Sequence, residues 1–231
     1  MAKRTTLLLA TLVLFSPNYG AADLQFSPEI TTDDWLLAFV DVETTGLQPG
    51  FHEMIDIGMI VTNLNGQPID QLFLRIMPSH PERTEPGAAA LNGFSVALWQ
   101  ERGFDSEAAA VRKLLDFAEE VSGEKGLLMV GYNAWFDISF IDHLFRSQDE
   151  TWRKLFHYFV LDLPSMAWGQ KHRSLTGSAL SKSLGIAAET SDPLKHTGLS
   201  GAQYNLKVYQ TLLSERAETA PLKKLNAASD E

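Results

Sequence analysis

Two carboxylates one residue apart, Asp41 and Glu43, close the continuous apolar run at 35–40 in this 231-residue chain. An unbroken run of this kind fits a central strand buried on both faces. Side chains alternate across a strand, so Asp41 and Glu43 share one side while Val42 packs on the other. Two like charges at the end of a buried strand repel each other and are costly to take out of water. A bound cation relieves both costs, which makes the pair a candidate divalent-metal site. Asp137 stands in a similar place, after a second apolar run at 127–132 and at the start of a helical pattern. In α/β sheets such strand ends converge on the crevice where ligands bind. Carboxylates without clustered histidines or thiolates suit hard ions such as Mg2+ or Mn2+ and disfavour zinc and copper.

The elements that must position these residues can be read from period and punctuation. Strands are expected at 35–40, running out at the carboxylate pair, and at 55–62 and 71–77. Asn65-Gly66 is a hairpin turn between the latter two, so the first three strands form an antiparallel meander. Further strands are expected at 127–132 and 159–163, the second ended by Pro164. Helices are expected at 86–91, at 106–121 (capped by Asp105 or Ser106, stopped by Gly123), from Asp137 through Arg146, at 177–184 and at 200–217. The fold class is α/β, a mixed sheet of a meander followed by parallel strands, with helices on both sides.

Composition removes several chemistries. With no cysteine, disulfides, zinc–thiolate sites and thiol catalysis are excluded. A net charge of −10 argues against holding nucleic acid by a broad basic surface, while leaving room for a nuclease whose metal site supplies local positive potential. Lys3 and Arg4 precede an apolar run at 7–15, and Gly20-Ala21-Ala22 offers small residues for cleavage. Residues 1–22 thus read as a secretory signal peptide, too short to span a bilayer, which needs roughly 20 apolar residues. The expectation is export, periplasmic or secreted; a retained leader would leave the protein cytoplasmic. Cleavage removes Lys3 and Arg4, and the absence of cysteine denies the mature protein a lipid anchor. The catalytic domain is expected at 33–217, with a polar, flexible tail at 218–231.

The run Asp41-Val42-Glu43-Thr44-Thr45-Gly46-Leu47, followed by Asn133-Ala134-Trp135-Phe136-Asp137 and then His196, resembles the DEDDh group of 3′–5′ exonucleases. This is the RNase T and DnaQ-like type, in the ribonuclease-H-like superfamily. The resemblance extends from about residue 35 to 213, with the motifs in the family's order. It implies a ribonuclease-H-like sheet and two-metal hydrolysis of phosphodiester bonds at 3′ ends of single-stranded DNA or RNA. It also implies Mg2+ or Mn2+ as cofactor, two ions in all, and a possible homodimer. By the same resemblance Asp41 bridges both ions, Glu43 holds the ion that carries the nucleophile, and Asp137 serves the second. His196 takes the proton of the attacking water, a role that suits an imidazole because its ordinary titration lies near neutral pH. Thr44, Thr45 and Leu47 are expected at the 3′-terminal nucleotide, Asn133 and Phe136 along the strand groove, and Asn92-Gly93-Phe94 near the 3′ end. Lys195, beside His196, is a phosphate candidate. Lys171-His172-Arg173 is better read as a solvated loop, and Trp135, Trp152 and Trp168 as core residues rather than stacking platforms.

The sequence departs from the family at one place. The fourth carboxylate normally follows the histidine by five residues, and that position is Gly201. Residues five apart on a helix point about 140° apart, so the histidine is expected on the preceding loop and position 201 on the helix. Glycine cannot ligate through a side chain and weakens a helix by up to about 1 kcal/mol relative to alanine. No acid close in sequence is an obvious substitute; Asp192, in the loop before His196, is the one considered. The expectation is weakened ion binding that Gly201→Asp would restore. The alternative is an exonuclease fold that retains nucleic acid without cutting it.

Overall fold

Leu37, Phe39, Asp41 and Glu43 alternate down one face of the first strand, and that alternation organises the domain. The computed structural model describes residues 34–219. These belong to the second of two units, Thr31–Glu231; the first, Met1–Ile30, and with it the expected leader, lies outside the described residues, as does the tail beyond 219.

β1 (Trp35–Thr44) forms because its apolar run can be buried on both sides. It continues through the carboxylate pair instead of ending there. β2 (Met54–Thr62) pairs antiparallel to it from Leu37↔Thr62 to Thr44↔Met54, and β3 (Pro68–Arg75) pairs antiparallel to β2 at the exposed edge. The turn between β2 and β3 is held by the Asn63 side chain, which accepts from Asn65 N and Gln67 N, with Gly66 at φ 73°. β4 (Gly126–Gly131) and β5 (Val160–Asp162) complete the order β3-β2-β1-β4-β5, β4 parallel to β1 and β5 parallel to β4. The expected mixed sheet with a leading meander is the observed one.

Helices cover both faces. α1 (Pro86–Asn92) and α2 (Val96–Arg102) lead into α3 (Glu107–Ser122), and α4 (Ala134–Arg146) follows β4. Leu36, Ala38, Val40 and Val42 pack with Leu114 of α3 and with Phe140 and Ile141 of α4. On the other face Leu37 and Phe39 pack with α5 (Leu163–Gly169), α6 (Gly177–Leu184) and α7 (Gly198–Thr219) through Leu163, Leu180, Leu206 and Tyr209. Asp41 and Glu43 therefore continue the face that α7 covers. Among the described residues no helix is long and apolar enough to cross a membrane.

Two helices were not anticipated. α2 is held by a tertiary tie, Trp99 Nε1 donating to Ile55 O at 2.9 Å, more than by its own period. α5 begins where a strand stop was expected: Pro164 lies in its first turn, where no backbone N–H is needed. Asp162 caps that helix through Ser165 N (3.0 Å) and also accepts from Ala134 N (3.2 Å), so it fixes the start of α4 as a structural residue.

α7 lies unusually close to the sheet. A Cβ at Gly58 would overlap the Gly198–Leu199 backbone, and one at Gly198 would meet Asp41 O and Gly58 N. Gly58→Ala is therefore expected to cost about 1–3 kcal/mol by overpacking. Urea unfolding should show it as a lowered midpoint with unchanged slope.

Candidate active site

The cleft opens where β1 loses a neighbour. Parallel pairing with β4 stops at Phe39↔Val130, while pairing with β2 continues to the end of β1. The backbone groups on the bare edge are taken up by side chains. Val42 N donates to Asp137 Oδ1 at 3.1 Å, and Asn205 Nδ2 of α7 donates to Val40 O at 2.9 Å. Asp137 reaches β1 from the first turn of α4 because Asn133 turns the chain in the left-handed region, φ 58°.

Glu43 and Asp137 are buried; Asp41 is only partly covered, with its carboxylate at the floor of the cleft. Glu43 Oε2 accepts from Asn92 Nδ2 at 3.2 Å, and the same amide donates to Thr44 O at 3.0 Å. His196 Nε2 lies 3.2 Å from Glu43 Oε1, and its Nδ1 lies 2.8 Å from Thr190 O. A carbonyl can only accept, so Nδ1 carries a proton. Nε2 faces Glu43 Oε1, a contact that needs one proton between the two atoms, and burial pushes Glu43 up to about 8. Asp41 is raised by burial and then by Asp137, Glu189, Glu43 and Asp56; Asp137 is raised chiefly by burial, opposed by backbone N–H groups. Asp56, directly across from Glu43 on β2, is buried, accepts from Gly198 N at 2.8 Å and is pushed up to about 8, again mainly by burial.

Among the described residues the cleft, about 430 Å³, is lined by five carboxylates (Asp41, Glu43, Glu85, Asp137 and Glu189) and by no lysine or arginine. Such a surface rejects a phosphodiester unless cations occupy it. Hard oxygens dominate the donor set, and Glu43, Glu189 and His196 each offer a ligand atom within 4.8 Å of the others. These residues fit a divalent cation.

Of the residues expected here, Asp41, Glu43, Asp137, His196, Thr44, Leu47, Asn133 and Phe136 line the cleft. Thr45 does not. A bulge between Glu43 and Thr44 breaks the alternation, and Thr45 is fully buried, its Oγ1 accepting from Glu53 N and its N donating to Glu53 O. Lys195 is exposed and pairs with Asp192 at 3.3 Å outside the lining. Asp192 itself binds Leu194 N and Lys195 and does not reach in. Trp135 and Trp168 are 68% and 51% exposed, contrary to the core reading, because their helices turn them outward; Trp152 is half-buried. His172 ties Ser183 to Glu215, and Arg173 lies over the Trp168 ring.

His196 sits on the loop and Gly201 in the first turn of α7, as the spacing required. A Cβ at Gly201, however, would overlap the Asp41 carboxylate. A side chain at 201 therefore has to push Asp41 aside, so Gly201→Asp displaces the carboxylate it would join and should not raise activity. Glu189 was missed: it lies in the irregular loop 185–197, where no periodicity marks an inward residue. Asp56 was missed because its strand pattern reads as plain β2.

With fold and geometry in hand, the comparisons define a class. No protein-family model matches the sequence. The chain is 30% identical over 189 residues, 80% of its own length and 96% of the relative's, to the 3′–5′ DNA exonuclease Cap18 of Escherichia coli. It is a DnaQ-like 3′–5′ exonuclease of the ribonuclease-H-like superfamily by descent. The fold matches E. coli exonuclease I in complex with a dT13 oligonucleotide at a TM-score of 0.64, with 16% identity. That match covers 79% of this chain and 42% of that one, so the chain spans about two fifths of exonuclease I. A 3′-exonuclease that recognises the 3′ end of histone mRNA stem-loop matches at 0.61, with 12% identity over 78% of this chain and 82% of the other.

The carboxylates set a pH dependence with a definite sign. Glu43 and Asp56, both raised to about 8 in the fold, stabilise it fully below their unfolded values near 4 and lose that contribution as pH rises through 8. In chelator the melting temperature should fall from pH 5 to pH 9. Added Mn2+ should raise it more at pH 8 than at pH 5.5, read by calorimetry.

Proposed function

We propose that the protein hydrolyses phosphodiester bonds at the 3′ ends of single-stranded DNA, using Mg2+ or Mn2+ held as a pair of ions by Asp41, Glu43 and Asp137. The observation that carries this reading is a cleft lined, among the described residues, by acids and no lysine or arginine, in which His196 presents Nε2 beside Glu43. DNA is preferred over RNA because Cap18 is named a DNA exonuclease and exonuclease I is described with dT13 and dA16. Bound cations would supply the positive charge that a phosphodiester requires and make water more acidic.

The chain's own residues do the rest. His196 Nε2 accepts the proton of the attacking water, and the Thr190 carbonyl, by holding the Nδ1 proton, makes Nε2 the accepting nitrogen. Asn92 holds Glu43 from the opposite side. Leu47 and Leu91, exposed at the rim, and Phe136 give the terminal nucleotide an apolar wall. Trp135, exposed one residue before Phe136, offers a stacking face to an unpaired base.

Gly201 favours a second reading. α7 brings no carboxylate, so Asp41, Glu43 and Asp137 alone would hold ions with one partner fewer, as in a fold that binds nucleic acid without cutting it. Release of mononucleotides from a 3′-labelled oligomer in Mg2+ or Mn2+ separates the two. Asp41→Asn should lower the rate on the order of 1,000-fold, matching several kcal/mol of lost transition-state stabilisation. Retention of the oligomer with no release would decide for the binding reading.

The basic, apolar and small-residue sequence of the leader supports export of this activity. N-terminal sequencing of the protein from cells should begin at Asp23 or close to it; Met1 or Ala2 would place it in the cytoplasm.

A further inference from the structure

We infer that Glu189 is the fourth acidic ligand of the cation site, arriving from the loop before the base in place of the side chain that Gly201 lacks. The inference rests on the cleft being a metal-dependent exonuclease site and adds to it a residue that the family's spacing does not select.

The helix does not supply this ligand, because position 201 is glycine. α7 approaches the sheet closely through Gly58 and Gly198, and a Cβ at Gly201 would meet the Asp41 side chain, which would have to turn aside. The loop 185–197, which joins α6 to α7, contributes Glu189 and His196 to the cleft lining. Glu189 lines both the main cleft and an adjoining pocket formed with Asp41, Tyr132, Tyr204 and Asn205. It therefore borders Asp41 in both spaces.

Three observations make Glu189 a ligand and not a neighbour. Its carboxylate, with Glu43 and His196, offers one of three donor atoms all within 4.8 Å of one another. Its place in the loop is fixed beside it: the next residue, Thr190, accepts from His196 at 2.8 Å, and Ser200 Oγ lies 3.4 Å from Glu189 Oε1. Finally, no lysine or arginine answers it among the described residues. Its ion-pair contact is His196 Nδ1 at 3.6 Å, a nitrogen whose proton already goes to Thr190. Asp192, the other acid of the loop, faces outward and caps its own turn. The longer glutamate reach suits a ligand carried by a loop where a helix would have carried aspartate.

The test uses the purified full chain and Mn2+ alone. Glu189→Gln keeps the volume while removing the charge. We expect Mn2+ affinity, by calorimetry without nucleic acid, to fall at least about 10-fold, and the turnover rate with it. Unchanged Mn2+ affinity in Glu189→Gln overturns the inference, including the case where only the pH profile of kcat moves, which would make Glu189 a positioning residue for His196. Asp41→Asn separates the two levels. If the wild type binds Mn2+ and cuts, and both are lost in Asp41→Asn but kept in Glu189→Gln, the role of Glu189 alone is wrong. A wild type that neither binds Mn2+ nor cuts overturns the reading of the whole site, and Glu189 with it.

Discussion

Crowded negative charge at the end of β1 is the constraint on which the site depends. Asp41 and Glu43 continue the face that carries Leu37 and Phe39, so the sheet's own alternation drives two carboxylates toward the apolar layer under α7. Asp56 faces Glu43 from the next strand, Asp137 arrives from α4, and Glu189 comes from the loop before α7. With no lysine or arginine among the described lining residues, this crowding is relieved by keeping protons on the buried carboxyls or by taking up cations. The architecture is thus built around a deficit of positive charge.

The early end of the β1–β4 ladder turns that deficit into a cleft. Just past the last parallel pair, the bare edge of β1 is satisfied by Asp137 on Val42 N–H and by Asn205 on Val40 C=O. One carboxylate oxygen of Asp137 is therefore spent on the backbone, which positions the group and leaves the other for a ligand. The site is held by the same bonds that close the sheet edge, so its geometry is tied to the rigid part of the fold.

Much of this was legible in the chain. Period-two patterning and Asn65-Gly66 fixed the meander, and apolar runs ending in acids located Asp41, Glu43 and Asp137. Ser106 and Gly123 bounded α3 as expected, and α6 matched residue for residue. The failures have physical causes. α2 depends on an indole hydrogen bond to a distant strand, and α5 on a proline that starts a helix as readily as it ends a strand. Thr45 turned inward because one bulge shifted the alternation by a residue. Glu189 could not be read at all: an irregular loop has no period, and its inward direction exists only once α6 and α7 are docked.

The close seating of α7 against β1 and β2 has a consequence in time. Asp41, Glu43 and Asp137 are synthesised well before the His196 loop and the glycine-lined helix start that fits against them. A chain emerging from the ribosome therefore carries these acids long before His196, and the cleft has its full lining only once the loop 185–197 and α7 have docked.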